Sequence, residues 1–211
     1  TYGANDITDP NVFASVYSGL VDQLTANGAK GVVANLPYVT TIPYFTTVPY
    51  NPVALNATTA AQLNAGYAAY NNGLLFAQSN GLLSAAEVAR RTISFSASST
   101  NPVVIVDSYL TNLSGFGIPS YRMATSEDLI VLPARTFIGT TVGGNPAQVN
   151  GVSVPLADSS VLSKDEIQEV RVATDAYNSA IQSIAQTKGL TFVNANALQT
   201  QIANGGIAAN N

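Results

Sequence analysis

The order of helix signals and apolar runs predicts an α/β fold, and two observations carry that reading. A helix signal beginning at Asp9-Pro10 and ending at Gly28 leads into Gly31-Val-Val-Ala-Asn-Leu36, a short apolar run closed by Pro37. A longer helix signal beginning at Ser163 ends at Gly189 and leads into Leu190-Thr-Phe-Val193. Short apolar runs bounded by glycine and proline read as buried strands of a parallel sheet, and helix followed by strand is the pattern of α/β proteins.

Each element has a local cause. Asp9 supplies an N-cap acceptor and Pro10 a pre-set first helical residue, after which Val12, Val16, Leu20 and Leu24 recur at helical spacing. The segment 37–52, with prolines 37, 43, 49 and 52 and aromatics Tyr38, Tyr44, Phe45 and Tyr50, is too broken for a helix or a central strand and reads as a long ordered loop. From Thr58 an Ala-rich stretch through Leu63, Tyr67, Tyr70 and Leu74 is helical, and Ser84-Ala-Ala-Glu87 spells a capping box before a shorter helix.

Strands are expected at Thr92 to Phe95, at Val103 to Asp107 and at Leu129 to Leu132, the first two joined as a hairpin through 99–102. The stretch 139–155, with Gly143-Gly144-Asn145-Pro146 and Asn150-Gly151, has the turn chemistry of an exposed hairpin. Ser163-Lys-Asp-Glu166 opens the clearest helix, through Ile167, Val170, Tyr177, Ile181 and Ile184, about seven turns long. A brief helix over Ala197 to Ile202 precedes a Gly- and Asn-rich tail, and there is no convincing internal repeat.

Composition excludes several classes of function. Histidine and cysteine are both absent, so the chain by itself holds no Ser-His-Asp or Cys-His machinery, no disulfide and no thiolate metal site. With 9% charged residues, a net charge of −4 and Arg90-Arg91 as the adjacent basic pair, it has no footprint for nucleic acid. The longest apolar runs fall short of a membrane span, and nothing calls for a cofactor. The 46% hydrophobic content fills a core, while the polar surface is mostly uncharged, which points to a secreted or cell-envelope bacterial protein.

Candidate chemistry is sparse. Gly3-Ala-Asn5-Asp6 matches Gly-x-Asn-Asp, in which the asparagine amide donates to an oxyanion; the same residues are also common turn and helix-entry residues. The Tyr- and Pro-rich loop is either an aromatic wall for an acyl chain or sugar, or simply a loop kept ordered by packing. Asp107 ends an apolar run, where α/β sheets place ligand groups, although aspartate there is also a plain turn starter. Of the carboxylate pairs Glu127-Asp128 and Asp165-Glu166, the second sits in a first helical turn and reads as capping. A Ser-Lys dyad would have to recruit Lys30, Lys164 or Lys188, for which capping or a solvated surface is the plainer role.

Three parts of the chain resemble a family. Leu24-Thr-Ala-Asn-Gly-Ala-Lys-Gly-Val-Val-Ala-Asn-Leu-Pro37 with Ile42-Pro-Tyr-Phe-Thr-Thr-Val-Pro-Tyr-Asn-Pro52, then Val161-Leu-Ser-Lys-Asp-Glu166 with Ala176-Tyr-Asn178, and Gly189-Leu-Thr-Phe-Val-Asn-Ala-Asn-Ala-Leu198 look like SGNH (GDSL-type) hydrolases of Bacteroidetes. The resemblance implies a flavodoxin-like three-layer α/β/α fold with a helical and loop insertion around 38–160, one domain over 1–211, incomplete at both ends. It implies hydrolysis of a small ester or an acylated glycan by a serine and an Asp-His pair. The Gly-Asp-Ser block is expected before residue 1 and the Asp-x-x-His block after residue 211.

On this reading Asn5 is either an oxyanion donor or part of the loop that follows the real block. The leading expectation is therefore the central part of an SGNH-type serine esterase or lipase, inactive alone. The alternative is a glycan- or protein-binding module on the same fold. A sheet stripped of its first and last segments would also expose an unpaired edge for a homodimer.

Overall fold

The structure, a computed structural model, describes residues 7–206. In chain order its elements are α1 (Pro10–Leu24), β1 (Val32–Ala34), α2 (Pro43–Thr46), β2 (Val53–Leu55), α3 (Ala57–Ser79), α4 (Ala85–Arg91), β3 (Ser98–Asn101), β4 (Val104–Val106), β5 (Tyr121–Met123), β6 (Leu129–Ile130), β7 (Thr141–Val142), β8 (Asn145–Val149), β9 (Val161–Leu162), α5 (Lys164–Lys188), β10 (Thr191–Val193) and α6 (Ala195–Ala203). The protein is thus a mixed α and β structure with two-stranded sheets. The chain gathers into two compact units, Thr1–Phe45 with Asp165–Asn211, and Thr46–Lys164.

In the first unit, local signals set the helix ends. The Asp9 carboxylate accepts from the N–H groups of Asn11 and Val12 at 2.8 and 3.1 Å, which fixes the start of α1. Gly189, at φ +62°, turns the chain out of α5 in a left-handed conformation that glycine adopts freely. Phe13 of α1 meets Tyr177 of α5 with ring centroids 4.4 Å apart, and the Tyr177 hydroxyl donates to the Thr8 carbonyl. β1 and β10 are parallel, in the register Val32↔Thr191, Val33↔Phe192 and Ala34↔Val193.

The expected parallel strand is therefore present, but its expected burial is not: Val32 is 67% exposed and Val193 41%. α1 shows the same departure. Val12, Val16, Leu20 and Leu24, the four apolar residues at helical spacing, are all more than half exposed, and Val21 is the buried side chain of that helix.

The second unit is held by antiparallel pairs β2·β3, β4·β5, β6·β9 and β7·β8. Its apolar centre is β4, where Val104 and Ile105 are fully buried with Val103 before them, joined by Ile130, Leu156 and Leu162. The segment around Leu156 lies along the other side of β4, with Leu156 N–H donating to Val104 C=O and Val106 N–H to Leu156 C=O. Gly151 permits this approach: a Cβ there would sit 3.1 Å from the Val103 side chain, at a φ of +76°. A second cluster, Leu74, Ala77, Leu83, Val88, Leu113 and Ile118, packs α3 on α4.

The hairpin expected through 99–102 does not form. Ser98–Asn101 pairs with β2 instead, and Val104–Val106 with β5. Ile93 and Phe95 do present their backbone for pairing, but to side chains of α3. Asn71 donates to Ile93 C=O at 2.8 Å and accepts from its N–H at 3.0 Å, and Asn64 does the same for Phe95 at 2.9 and 2.8 Å. The exposed hairpin expected within 139–155 is present as β7 and β8.

Buried charge in this unit centres on Arg122. Its Nε lies 2.5 Å from Asp107 Oδ2, and its two terminal nitrogens grip both oxygens of Asp128 at 2.7 Å. Asp128 also accepts from the Thr125 N–H at 2.7 Å and the Lys164 N–H at 3.1 Å. Burial alone would raise the Asp128 carboxyl, but the hydrogen bonds and charge of Arg122, with those from Thr125, outweigh it and hold the pKa below the ordinary aspartate value. The stability this contributes is complete above the unfolded aspartate value, about pH 4, and is lost as pH falls through the depressed folded value. Unfolding followed by urea between pH 6 and 2 should therefore show wild type losing stability steeply on acidification. Asp128→Asn, weaker at pH 6, should show a flatter dependence; parallel curves would contradict this role.

Candidate functional site

In α/β sheets, ligand groups collect beyond the carboxyl ends of parallel strands. In the first unit that place is occupied by asparagines. Asn35 is the first residue past β1 and Asn194 the first past β10, and the Asn35 amide donates to the Asn194 side-chain oxygen at 3.0 Å. Asn35 Oδ1 in turn accepts from the Asn196 N–H at 2.8 Å, while Asn194 Oδ1 caps α6 through the Ala197 N–H at 2.9 Å. One amide on each strand end thus joins the sheet to the start of α6.

The loop leaving β1 is clamped at Leu36. Asn178 of α5 accepts from Leu36 N–H at 2.7 Å and donates to Leu36 C=O at 2.9 Å, and Asn196 donates to the same carbonyl at 2.8 Å. Further along, Gln199 of α6 donates to Thr41 C=O at 3.0 Å, and the Tyr38 hydroxyl donates to Asp175 beneath the Arg171 guanidinium, which lies 5.3 Å from the Tyr38 ring centre. The hydrogen bond to Asp175, then burial, pushes the Tyr38 hydroxyl above its ordinary pKa. The result is a neutral, rigid platform of side-chain amides. Side-chain amides do not ionise near neutral pH, so the platform offers hydrogen bonding alone and cannot serve as acid or base.

The residues singled out from sequence fall elsewhere. Asn5 and its Gly3–Asp6 tetrad lie outside the described residues. Asp107, placed from sequence where ligand groups sit, belongs to an antiparallel pair and is 1% exposed, tied to Arg122, to Arg90 at 3.0 Å and to the Tyr109 N–H at 2.9 Å; it is a structural ion-pair partner. Glu127 and Asp128 do not act as a carboxylate pair, because Asp128 is buried against Arg122 while Glu127 meets Lys164 at the surface. Lys188 pairs with Asp22, so Lys164 and Lys188 both have carboxylate partners; Lys30 is exposed.

The aromatics of the loop 37–52 are held separately within each unit. Tyr44 and Phe45 pack edge to face, Tyr38 is held by Asp175, and Tyr50 belongs to the second unit, where its carbonyl accepts from Val103 N–H. Among the described residues no group of three or more Asp, Glu, His or Cys side chains is placed to hold a metal ion, and no helix is long and apolar enough to cross a membrane.

Sequence reasoning missed Asn35, Asn178, Asn194 and Asn196. The signal was there in part: both apolar runs end in asparagine, Ala34-Asn35 and Val193-Asn194. Replacing Asn35 by alanine removes two side-chain hydrogen bonds, at about 0.5–1.5 kcal/mol each. Asn35→Ala should lower unfolding stability by about 1–3 kcal/mol and speed amide exchange at Asn196; an unaltered Asn196 amide would contradict the assigned pairing.

Comparison with known proteins found no matching family model, no matching curated protein and no matching solved structure.

Proposed function

We propose that this chain is the central part of an SGNH (GDSL-type) serine ester hydrolase, secreted or held in a bacterial envelope, that acts on a small ester or an acylated glycan. One observation carries the reading. Segment 24–37, which resembles the family in sequence, lies far along the chain from 176–178 and 189–198, which also resemble it, yet all three meet at the asparagine platform, where Asn35, Leu36, Asn178, Asn194 and Asn196 are joined by hydrogen bonds.

In this reading β1 and β10 are inner strands of a flavodoxin-like three-layer sheet, and the catalytic serine and Asp-His pair come from segments outside these 211 residues. The exposed apolar stripe of α1 and the exposed faces of Val32 and Val193 support it, since apolar surface of that extent is expected to be covered by further structure. The platform would hold the β1 loop rigid beside the nucleophile, and Asn5 would donate to the oxyanion. In the isolated chain the uncovered strand edge would instead pair with a second copy.

The test is expression of the chain with its native flanking sequence, assayed on p-nitrophenyl acetate and butyrate and with a fluorophosphonate probe. Hydrolysis, with one serine labelled outside residues 1–211, is the expected outcome; the 211-residue chain alone should show neither. An extended protein that hydrolyses no short acyl ester and takes no label would contradict the assignment, leaving the binding-module reading.

A further inference from the structure

The second unit contains a cleft of about 630 Å3, within the range of roughly 300–1,000 Å3 usual for small-molecule sites. Its floor is apolar and closed: Val53, Tyr67 and Val152 are 7%, 9% and 2% exposed. The polar atoms of that floor are already committed, because the Tyr67 hydroxyl donates to Val152 C=O at 2.7 Å. The β7–β8 hairpin forms one wall through Pro146, Ala147 and Val149. Ser153 fixes it, donating to Ala147 C=O and accepting from Val149 N–H, each at 2.8 Å.

The opposite wall is one face of α3. Thr59 and Gln62 stand one turn apart on it, and within the described residues the Thr59 hydroxyl and the Gln62 amide make no hydrogen bond. Gly66 follows a further turn along, and a Cβ built on it meets nothing within 4 Å. None of the described residues that line the cleft carries a charge.

We propose that this cleft binds an uncharged aliphatic molecule with a single neutral polar head, the chain lying on the Val53–Tyr67–Val152 floor and the head meeting Thr59 and Gln62. Charge is what selects the head: an ion entering this lining would lose hydration without gaining a counter-charge. The floor selects the chain, since one tyrosine between two valines offers no stacking face pair for a sugar, and two polar side chains cannot satisfy its hydroxyls. Binding here needs no catalytic group and does not rest on the ester-hydrolase reading.

Three probes of equal length, 1-octanol, octanoate and octylammonium, titrated into the isotopically labelled 211-residue chain and followed by amide chemical shifts, test the proposal. Saturable binding of 1-octanol is expected, with shifts at residues 63–67 and 149–153, and at least roughly tenfold weaker binding of both ions. Gly66→Leu adds an apolar side chain at the cleft wall, where a Cβ meets nothing within 4 Å, and improves helix propensity, so it should fold at least as well while weakening 1-octanol by at least roughly tenfold. Thr59→Val with Gln62→Leu leaves the floor intact and should weaken 1-octanol by removing the partners of its hydroxyl. The proposal is overturned if 1-octanol does not saturate up to its solubility, if either ion binds as well, if a folded Gly66→Leu protein binds unchanged, or if the double variant keeps full affinity.

Discussion

A side-chain amide presents a donor and an acceptor in one plane, much as a peptide group does, and both units of this chain depend on that match. In the second unit Asn64 and Asn71 of α3 pair with the backbone of Phe95 and Ile93, so a helix face takes the place of a neighbouring strand. Asn101 closes the adjoining turn by donating to Ser96 and Ser98 carbonyls and accepting from Ser96 N–H. In the first unit Asn178 treats Leu36 in the same way. In a chain with only 9% charged residues, such neutral pairs tie helices to irregular backbone; they need no counter-charge and lose little to salt.

Where charge is buried, it is concentrated. Arg122 answers two carboxylates at once, and Arg91, fully buried, donates to the Pro119 and Thr111 carbonyls and to the Tyr70 hydroxyl while pairing with Glu87. A buried ion left without its partner costs several kcal/mol, about 3–5 for a broken pair, so these clusters commit Asp107 and Asp128 to structure. The acids that looked most like chemistry in the sequence are the ones least free to perform it. Two neutral features of the described residues stand apart from these clusters: the asparagine platform past β1 and β10, and the uncharged cleft beside α3.

Helix ends were legible because their causes are local: Asp9 before Pro10, Ser84 before Glu87, and Gly189 after Lys188 act within a few residues. Thr92 to Phe95 was misread because its alternation is real but its partners are Asn64 and Asn71, more than twenty residues earlier and on a helix. Pairing choice failed for the same reason at Val103 to Asp107, whose apolar run says strand but cannot say that Met123 and not Thr92 lies opposite. The burial expected of the run at 31–36 depended on neighbours that the described residues do not supply. Of the candidate site, the two strand-ending asparagines were visible as residues, but their meeting with Asn178 and Asn196 is a product of the tertiary fold.

Native-state hydrogen exchange of single amides tests the central claim most directly. If side-chain amides act as strand partners, the N–H groups of Ile93, Phe95 and Leu36 should exchange as slowly as those of the ladder residues Val104 and Ile105 of β4 or Val33 of β1 in their own units, and Asn71→Ala should release Ile93 selectively. Fast exchange at Ile93, Phe95 and Leu36 in the wild-type chain would contradict it.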